Sequence, residues 1–107
     1  MSYKVELAAQ VVAFYETLGM SYRRAVKRAL KQLAAGKGDT HPLHETLEGY
    51  HRLRVGPYRI IYRHEAPRRI LCDYMEARSI IYELFEAEII KRLTGQQQPE
   101  SKDDAMF

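Results

Sequence analysis

LEGYHRLRVGPYRIIY, residues 47–62, is the stretch whose reading decides the fold. Two runs of alternating character flank Gly56-Pro57. In residues 49–55, Leu53 and Val55 share one face, and Tyr50, Arg52 and Arg54 the other. In residues 58–63, Arg59, Ile61 and Arg63 lie opposite Tyr58, Ile60 and Tyr62. A period of two on either side of a tight turn spells a β-hairpin. A two-residue turn brings Arg54 and Arg59 near each other. One face of the hairpin then carries several guanidiniums, whose planar donor sets suit a phosphate.

Downstream, residues 64–68 read as a loop and 69–76 as a third strand of the meander. A helix is expected over 79–93, with Ser79 as N-cap or first-turn residue and Ile80, Ile81, Leu84, Phe85, Ile89 and Leu93 as its apolar stripe. Upstream, 36–48 reads as a loop, because Gly, Asp and Pro break any pattern there. Leu7, Val11, Phe14, Tyr15 and Leu18 recur at helical spacing up to Gly19. Ser21 is positioned to cap a second helix over 22–35. One side of that helix is apolar (Tyr22, Ala25, Val26, Ala29, Leu30, Leu33); the other carries Arg23, Arg24, Lys27, Arg28 and Lys31. Residues 3–6 form a short opening strand. The expected order is β-α-α-β-β-β-α: an α+β fold with a small antiparallel sheet, an N-terminal helical hairpin on one face and a C-terminal helix. The domain spans 1–94. Residues 95–107 are polar and Pro-containing, and are expected to be disordered.

Bulk properties narrow the function classes. With 107 residues, the chain has room for one domain. At 46% hydrophobic residues it can fold without staples, and its single cysteine, Cys72, excludes an internal disulfide. A lone thiol suits a reducing compartment. No apolar run approaches the roughly 20 residues of a spanning helix, and the N-terminus lacks a signal-peptide pattern. A cytoplasmic protein without a membrane partner is expected. The net charge of +3 is unevenly spread: residues 1–72 carry 13 Lys and Arg against 6 Asp and Glu, residues 73–107 carry 4 against 8. Such polarity suits a basic surface facing nucleic acid or an acidic protein. His41, His44, His51 and His64 lack tight ligand spacing with cysteines, and GKGD is not a P-loop, so no metal or cofactor is expected.

The hairpin resembles the signature of the RelE/ParE superfamily of toxins, an L-x-G…R-L-R-V-G-x-Y-R-V-I-Y pattern. About fifteen residues later the family's R-x-x-x-Y recurs as Arg78-Ser79-Ile80-Ile81-Tyr82. The resemblance covers roughly residues 3–93. It implies a toxin of a type II toxin–antitoxin system, neutralised by a cognate antitoxin and monomeric when free. RelE-like members cut mRNA on the ribosome without a metal; ParE-like members poison DNA gyrase. A third possibility is a family member that only binds its antitoxin. The resemblance makes Arg59 the phosphate-stabilising residue, Tyr82 the general base and Arg78 a cation near the scissile phosphate. Arg52 and Arg54 become substrate-binding.

Metal-free RNA cleavage needs a base for the 2′-OH proton, cations for the phosphate and an acid for the leaving 5′-oxygen. A tyrosine among cations can replace histidine as base, because positive charge favours phenolate. Arg78 lies four residues before Tyr82 on the same helix face, and this i, i+4 spacing lets both point at one site. The basic helix face Arg23, Arg24, Lys27, Arg28 and Lys31 is a candidate for gripping RNA phosphates. Plainer readings stand beside these: solvated arginines on strands and helix, Tyr82 at a core edge, Arg78 paired with Asp73 or Glu76, Tyr58 and Tyr62 in the core, Cys72 buried and inert. The chain departs from RNA-cutting relatives in having no lysine before Arg59, and Ala77 with Glu76 where many relatives have histidine.

Overall fold

In a computed structural model of the chain, the structure describes residues 2–95; the tail expected to be disordered lies outside these, apart from Gly95. The elements are β1 (Lys4–Leu7), α1 (Ala9–Glu16), α2 (Met20–Ala34), β2 (Thr40–Pro42), a 3₁₀ turn (Glu45–Leu47), β3 (His51–Val55), β4 (Tyr58–Glu65), β5 (Arg69–Ala77) and α3 (Ile81–Thr94). The sheet order is β1-β5-β4-β3-β2. The α+β class and the element order agree with the sequence reading.

The β3–β4 hairpin forms in the anticipated register, with Arg54 opposite Arg59 and Val55 opposite Tyr58. Gly56 takes a positive φ of 59° at the first of the two turn positions, where a side chain would be strained. The β4–β5 ladder slips between Ile61 and Tyr62: Ile61 pairs with Tyr74 but Tyr62 with Cys72, leaving Asp73 as the bulged residue.

Four local expectations change. The expected loop 36–48 contains β2, which pairs with β3 as a fifth strand, and the 3₁₀ turn. Its three residues are too few to show a period, and Pro42 fits an edge strand. The sheet is mixed: β1 runs parallel to β5, because no turn joins them and the helical hairpin plus the meander form the long crossover. Leu7 belongs to β1, opposite Cys72, so α1 starts at Ala9. Ser21 and Ser79 cap nothing; Gly19 and Ile80 precede the two helices without side-chain caps.

The two sheet faces bury different cores. Leu53, Val55, Ile60, Tyr62, Ile70, Cys72 and Met75 pack with Val11, Val26 and Leu33 of the helical hairpin. Tyr58 joins that face edge-on to Phe14 and Tyr22. On the opposite face Leu47, Ile61, Ile81 and Phe85 form a smaller cluster under α3, flanked by Tyr50, Tyr74 and Tyr82.

Candidate functional site

The arginine row of the hairpin emerges on the α3 side of the sheet, at the turn end of β3 and β4. Arg59 is only 6% exposed. Its Nη1 donates to the carbonyls of Gly56 (2.9 Å) and Tyr58 (2.8 Å), so its own turn holds the guanidinium. Burial lowers its pKa, and the positive charges of Arg52, Arg54 and Arg78 push the same way, while Tyr82 acts in the opposite sense. Arg52, Arg54, Arg78 and Tyr82 are therefore all within electrostatic range of one buried cation.

Compensation for this charge is sparse. Among the described residues, Arg52, Arg59 and Arg78 make no ion pair. Arg54 approaches Asp39 at 3.9 Å, with both side chains 55% exposed, a contact of little energetic weight. Nη1 of Arg52 is buried with no hydrogen-bond partner. A buried donor without a partner costs about 1–3 kcal/mol, more when charged. Glu76 pairs with none of these cations; its Oε1 accepts the Ala77 N–H at 3.0 Å. The site is a cationic cluster short of an anion.

Arg78 and Tyr82 both act on Arg59, but not from one helix face as the spacing suggested. Arg78 precedes α3, so helical i, i+4 geometry does not apply. Its N–H instead donates to the Pro57 carbonyl at 2.9 Å, which ties the end of β5 to the hairpin turn. Arg78 is exposed beside Pro57, Ala77 and Ser79 in a shallow depression. Tyr82 is half-buried, its ring against the small cluster of Phe85 and Ile81.

The helix α3 is clamped by an ion pair that the sequence reading missed. Asp73, 5% exposed, accepts two hydrogen bonds of 3.2 Å from Arg92, which also reaches Glu88 at 3.2 Å. Asp73 thus belongs to Arg92, not Arg78. A second missed clamp is Gln10, whose amide donates to Met75 O and accepts from Met75 N, both at 2.7 Å. It continues the ladder along the β5 edge where β1 has ended.

The basic helix face stands apart. Arg24, Lys27, Arg28 and Lys31 are exposed along α2. That helix covers the other side of the sheet, so they do not join the arginine cluster. Arg23 is turned into the α1–α2 corner, donating to the carbonyls of Leu18 (3.0 Å) and Glu16 (2.6 Å) and lying over Tyr15. Cys72 is buried, and burial pushes its thiol up to about 12, which leaves it unreactive. No group of three or more potential metal-ligating side chains is found among the described residues. None of the described helices is long and apolar enough to cross a membrane.

Comparison with known proteins adds to this geometry. A family model described as the ParE toxin of the type II toxin–antitoxin system parDE matches residues 5–72. No curated protein matches the sequence. Among solved structures, the chain is similar to one in the archaeal RelE–RelB complex from Pyrococcus horikoshii OT3, with a TM-score of 0.61 and 26% identity over 73% of this chain and 97% of that one. It is similar to one in the toxin–antitoxin complex RelBE2 of Mycobacterium tuberculosis, with a TM-score of 0.62 and 20% identity over 74% and 94%. The RelB–RelE antitoxin–toxin complex of Methanococcus jannaschii gives a TM-score of 0.60 and 21% identity over 75% and 98%. The last two likenesses bear on the fold.

Proposed function

The chain belongs to the ParE toxin family of type II toxin–antitoxin systems, and we propose that within it this protein is an endoribonuclease acting on mRNA at the ribosome. The observation that carries the proposal is the sparsely compensated cluster of Arg52, Arg54, Arg78 and Tyr82 around the buried guanidinium of Arg59. A buried cation among like charges is stabilised when an anion arrives. A phosphodiester supplies that anion, and guanidiniums bind its oxygens bidentately.

The chemistry then runs as an intramolecular transfer. Tyr82 takes the proton of a ribose 2′-OH. The 2′-oxygen forms a bond to phosphorus, and the bond from phosphorus to the 5′-oxygen breaks. The leaving oxygen takes a proton from water, and the hydroxide so formed takes up the proton now on Tyr82, which closes the cycle. The products are a 2′,3′-cyclic phosphate and a 5′-hydroxyl end. Arg59, fixed by the Gly56 and Tyr58 carbonyls, is held ready for the charge that builds on the phosphoryl oxygens. Arg52 and Arg54 bind the strand, and Arg78 sits at the rim. The guanidiniums supply the charge stabilisation, so the scheme uses no metal. The α2 residues Arg24, Lys27, Arg28 and Lys31 form a separate basic surface suited to ribosomal RNA. The acting unit is residues 1–94, working in the cytoplasm and neutralised by a cognate antitoxin.

The match to a ParE model favours one second reading: a protein that inhibits DNA gyrase by binding it. Cleavage of mRNA on programmed ribosomes, with naked RNA as control, separates the two. The expected result is ribosome-dependent cleavage by the wild-type protein, reduced about 10²–10³-fold in Arg59→Ala and similarly in Tyr82→Phe. Intact mRNA together with blocked gyrase supercoiling would replace the nuclease reading by the second.

A further inference from the structure

On the opposite side of the sheet, away from the arginines, lies a second polar cavity of about 250 Å³. It opens between the C-terminal end of α2 and the starts of β2 and β3. Its polar lining comes from six residues on five segments: Tyr3, Lys37, Thr40, His51, Tyr62 and His64. The rings pack on one another. His51 stacks on Tyr62 at 5.3 Å, His64 stands edge-on to His51 at 5.3 Å, and Tyr3 stands edge-on to His64 at 5.4 Å.

The donor balance of this cavity is one-sided. An ammonium, two imidazoles and three hydroxyls line it, and the remaining lining residues Leu33, Gly36 and Ile70 bring no carboxylate. Lys37 makes no ion pair among the described residues. A helix C-terminus would normally disfavour an anion through its free carbonyls. Here the last carbonyls of α2 are all taken: Lys31 and Gln32 by Ala35 N–H, Gln32 also by Lys37, Leu33 by Gly36, and Ala34 by Tyr3 at 2.7 Å. The wall offers no spare backbone acceptor from that turn.

We propose that this cavity is a binding site for a phosphate group, held by Lys37, His51 and His64 on the face of the sheet opposite the arginine cluster. The group comes either as a free phosphate or as a phosphodiester of a strand. Its occupancy rises as the pH falls, because protonation turns the His51 imidazole into a charged donor. The ionisable groups facing His51 are Tyr3 before β1, Lys37 after α2 and Tyr62 and His64 on β4, with no carboxylate among them. Burial, and then His64, lower the pKa of His51, so an arriving anion relieves the cost of charging it.

The test is an NMR titration of the imidazole resonances of the full chain at constant ionic strength in chloride. Three probes are used: inorganic phosphate, sulfate and a short oligonucleotide. Sulfate keeps its charge over the range, so its pH dependence reports the protein. The expected result is that phosphate and sulfate move the His51 and His64 signals, with sulfate binding about tenfold tighter near pH 6 than near pH 8. Lys37→Ala, and His64→Gln read through His51, should each weaken binding about tenfold. Both positions are exposed, so the variants should fold. Response to the oligonucleotide alone would support the site and identify a strand as its source. Unmoved imidazoles with all three probes would overturn the proposal. So would unchanged binding in both variants, or signal changes that disappear in Arg59→Ala, which would place the anion at the arginines. None of these outcomes depends on RNA cleavage.

Discussion

The two faces of one five-stranded sheet are built on opposite terms. The face under α1 and α2 is closely packed aliphatic and aromatic surface, with Ile60, Met75, Cys72 and Val11 fully buried. The face under α3 carries a short apolar cluster and, beside it, a row of arginines with few partners. Adjacent residues of β4 express the contrast: Ile60 points into the first, Arg59 into the second. The lesson is a division of labour. One face supplies the stability that lets the other hold like charges together.

The sharpest way to break that contrast is to truncate the two neighbours. Ile60→Ala should cost about 2–5 kcal/mol, because a fully enclosed side chain leaves a cavity. Arg59→Met should change stability by less than about 1 kcal/mol, since relief of desolvation and repulsion offsets two lost hydrogen bonds. Denaturant midpoints at unchanged m-value check both. A cost at Arg59 equal to that at Ile60 would mean that the arginine row supports the fold after all. The cleavage assay gives the reverse order: Arg59→Met should be inactive, whereas Ile60→Val, costing about 0.5–1.5 kcal/mol, should keep its activity.

The next effect concerns how α3 is kept over the arginine face. Its apolar contact is small, and the bulged Asp73 anchors it through Arg92. Arg92→Ala would leave a carboxylate at 5% exposure without its partner. Breaking a fully buried pair costs about 3–5 kcal/mol. Arg92 is 35% exposed, so water screens the pair, and about 1–2 kcal/mol is the expected cost. Amide exchange should quicken in α3 ahead of β3–β5, and Tyr82 should lose its placement. Uniform loss of protection across the sheet would show that the helix and the packed face unfold as one unit.

These features differ in how far the sequence disclosed them. The arginine row was legible because a period of two assigns faces without knowledge of the rest of the fold, and Gly56-Pro57 set the register. The helical hairpin was legible from its period. Three-residue β2 was not, since its only reason to be a strand is β3 beside it. The Asp73 bulge, the Arg92 clamp and the Gln10 amide were hidden for the same reason. Gln10 meets Met75 across 65 positions, and no local spacing encodes that contact. Arg78 was expected on one helix face with Tyr82, but it precedes α3, and its N–H is tied to the Pro57 carbonyl instead. The histidines looked scattered because 51 and 64 become neighbours only once β3 and β4 pair.

Those histidines produce the smallest expected effect and the finest test of the comparison. Across mild acid pH every guanidinium stays charged, so the arginines should contribute no titration of their own. The packed face carries a pH dependence at its polar margin, in His51. His51 has a pKa below its ordinary value, through burial first and the neighbouring His64 second. A depressed histidine favours folding while it is neutral. Its contribution is complete above the unfolded value near 6.5 and is lost as the pH falls through the lower folded value. Glu6, whose carboxyl is also lowered, by the hydrogen bond from Arg69, loses its contribution only in the more acidic carboxylate range. As the pH falls from about 6.5 through the folded value of His51, wild-type stability should therefore decline while His51→Gln stays nearly flat. Thermal melts in phosphate-free buffer measure the difference. Adding phosphate should shrink it, because an anion in the cavity offsets the charge that burial resists. Parallel curves for wild type and variant would move the pH dependence away from this margin and leave the two faces alike in their response to acid.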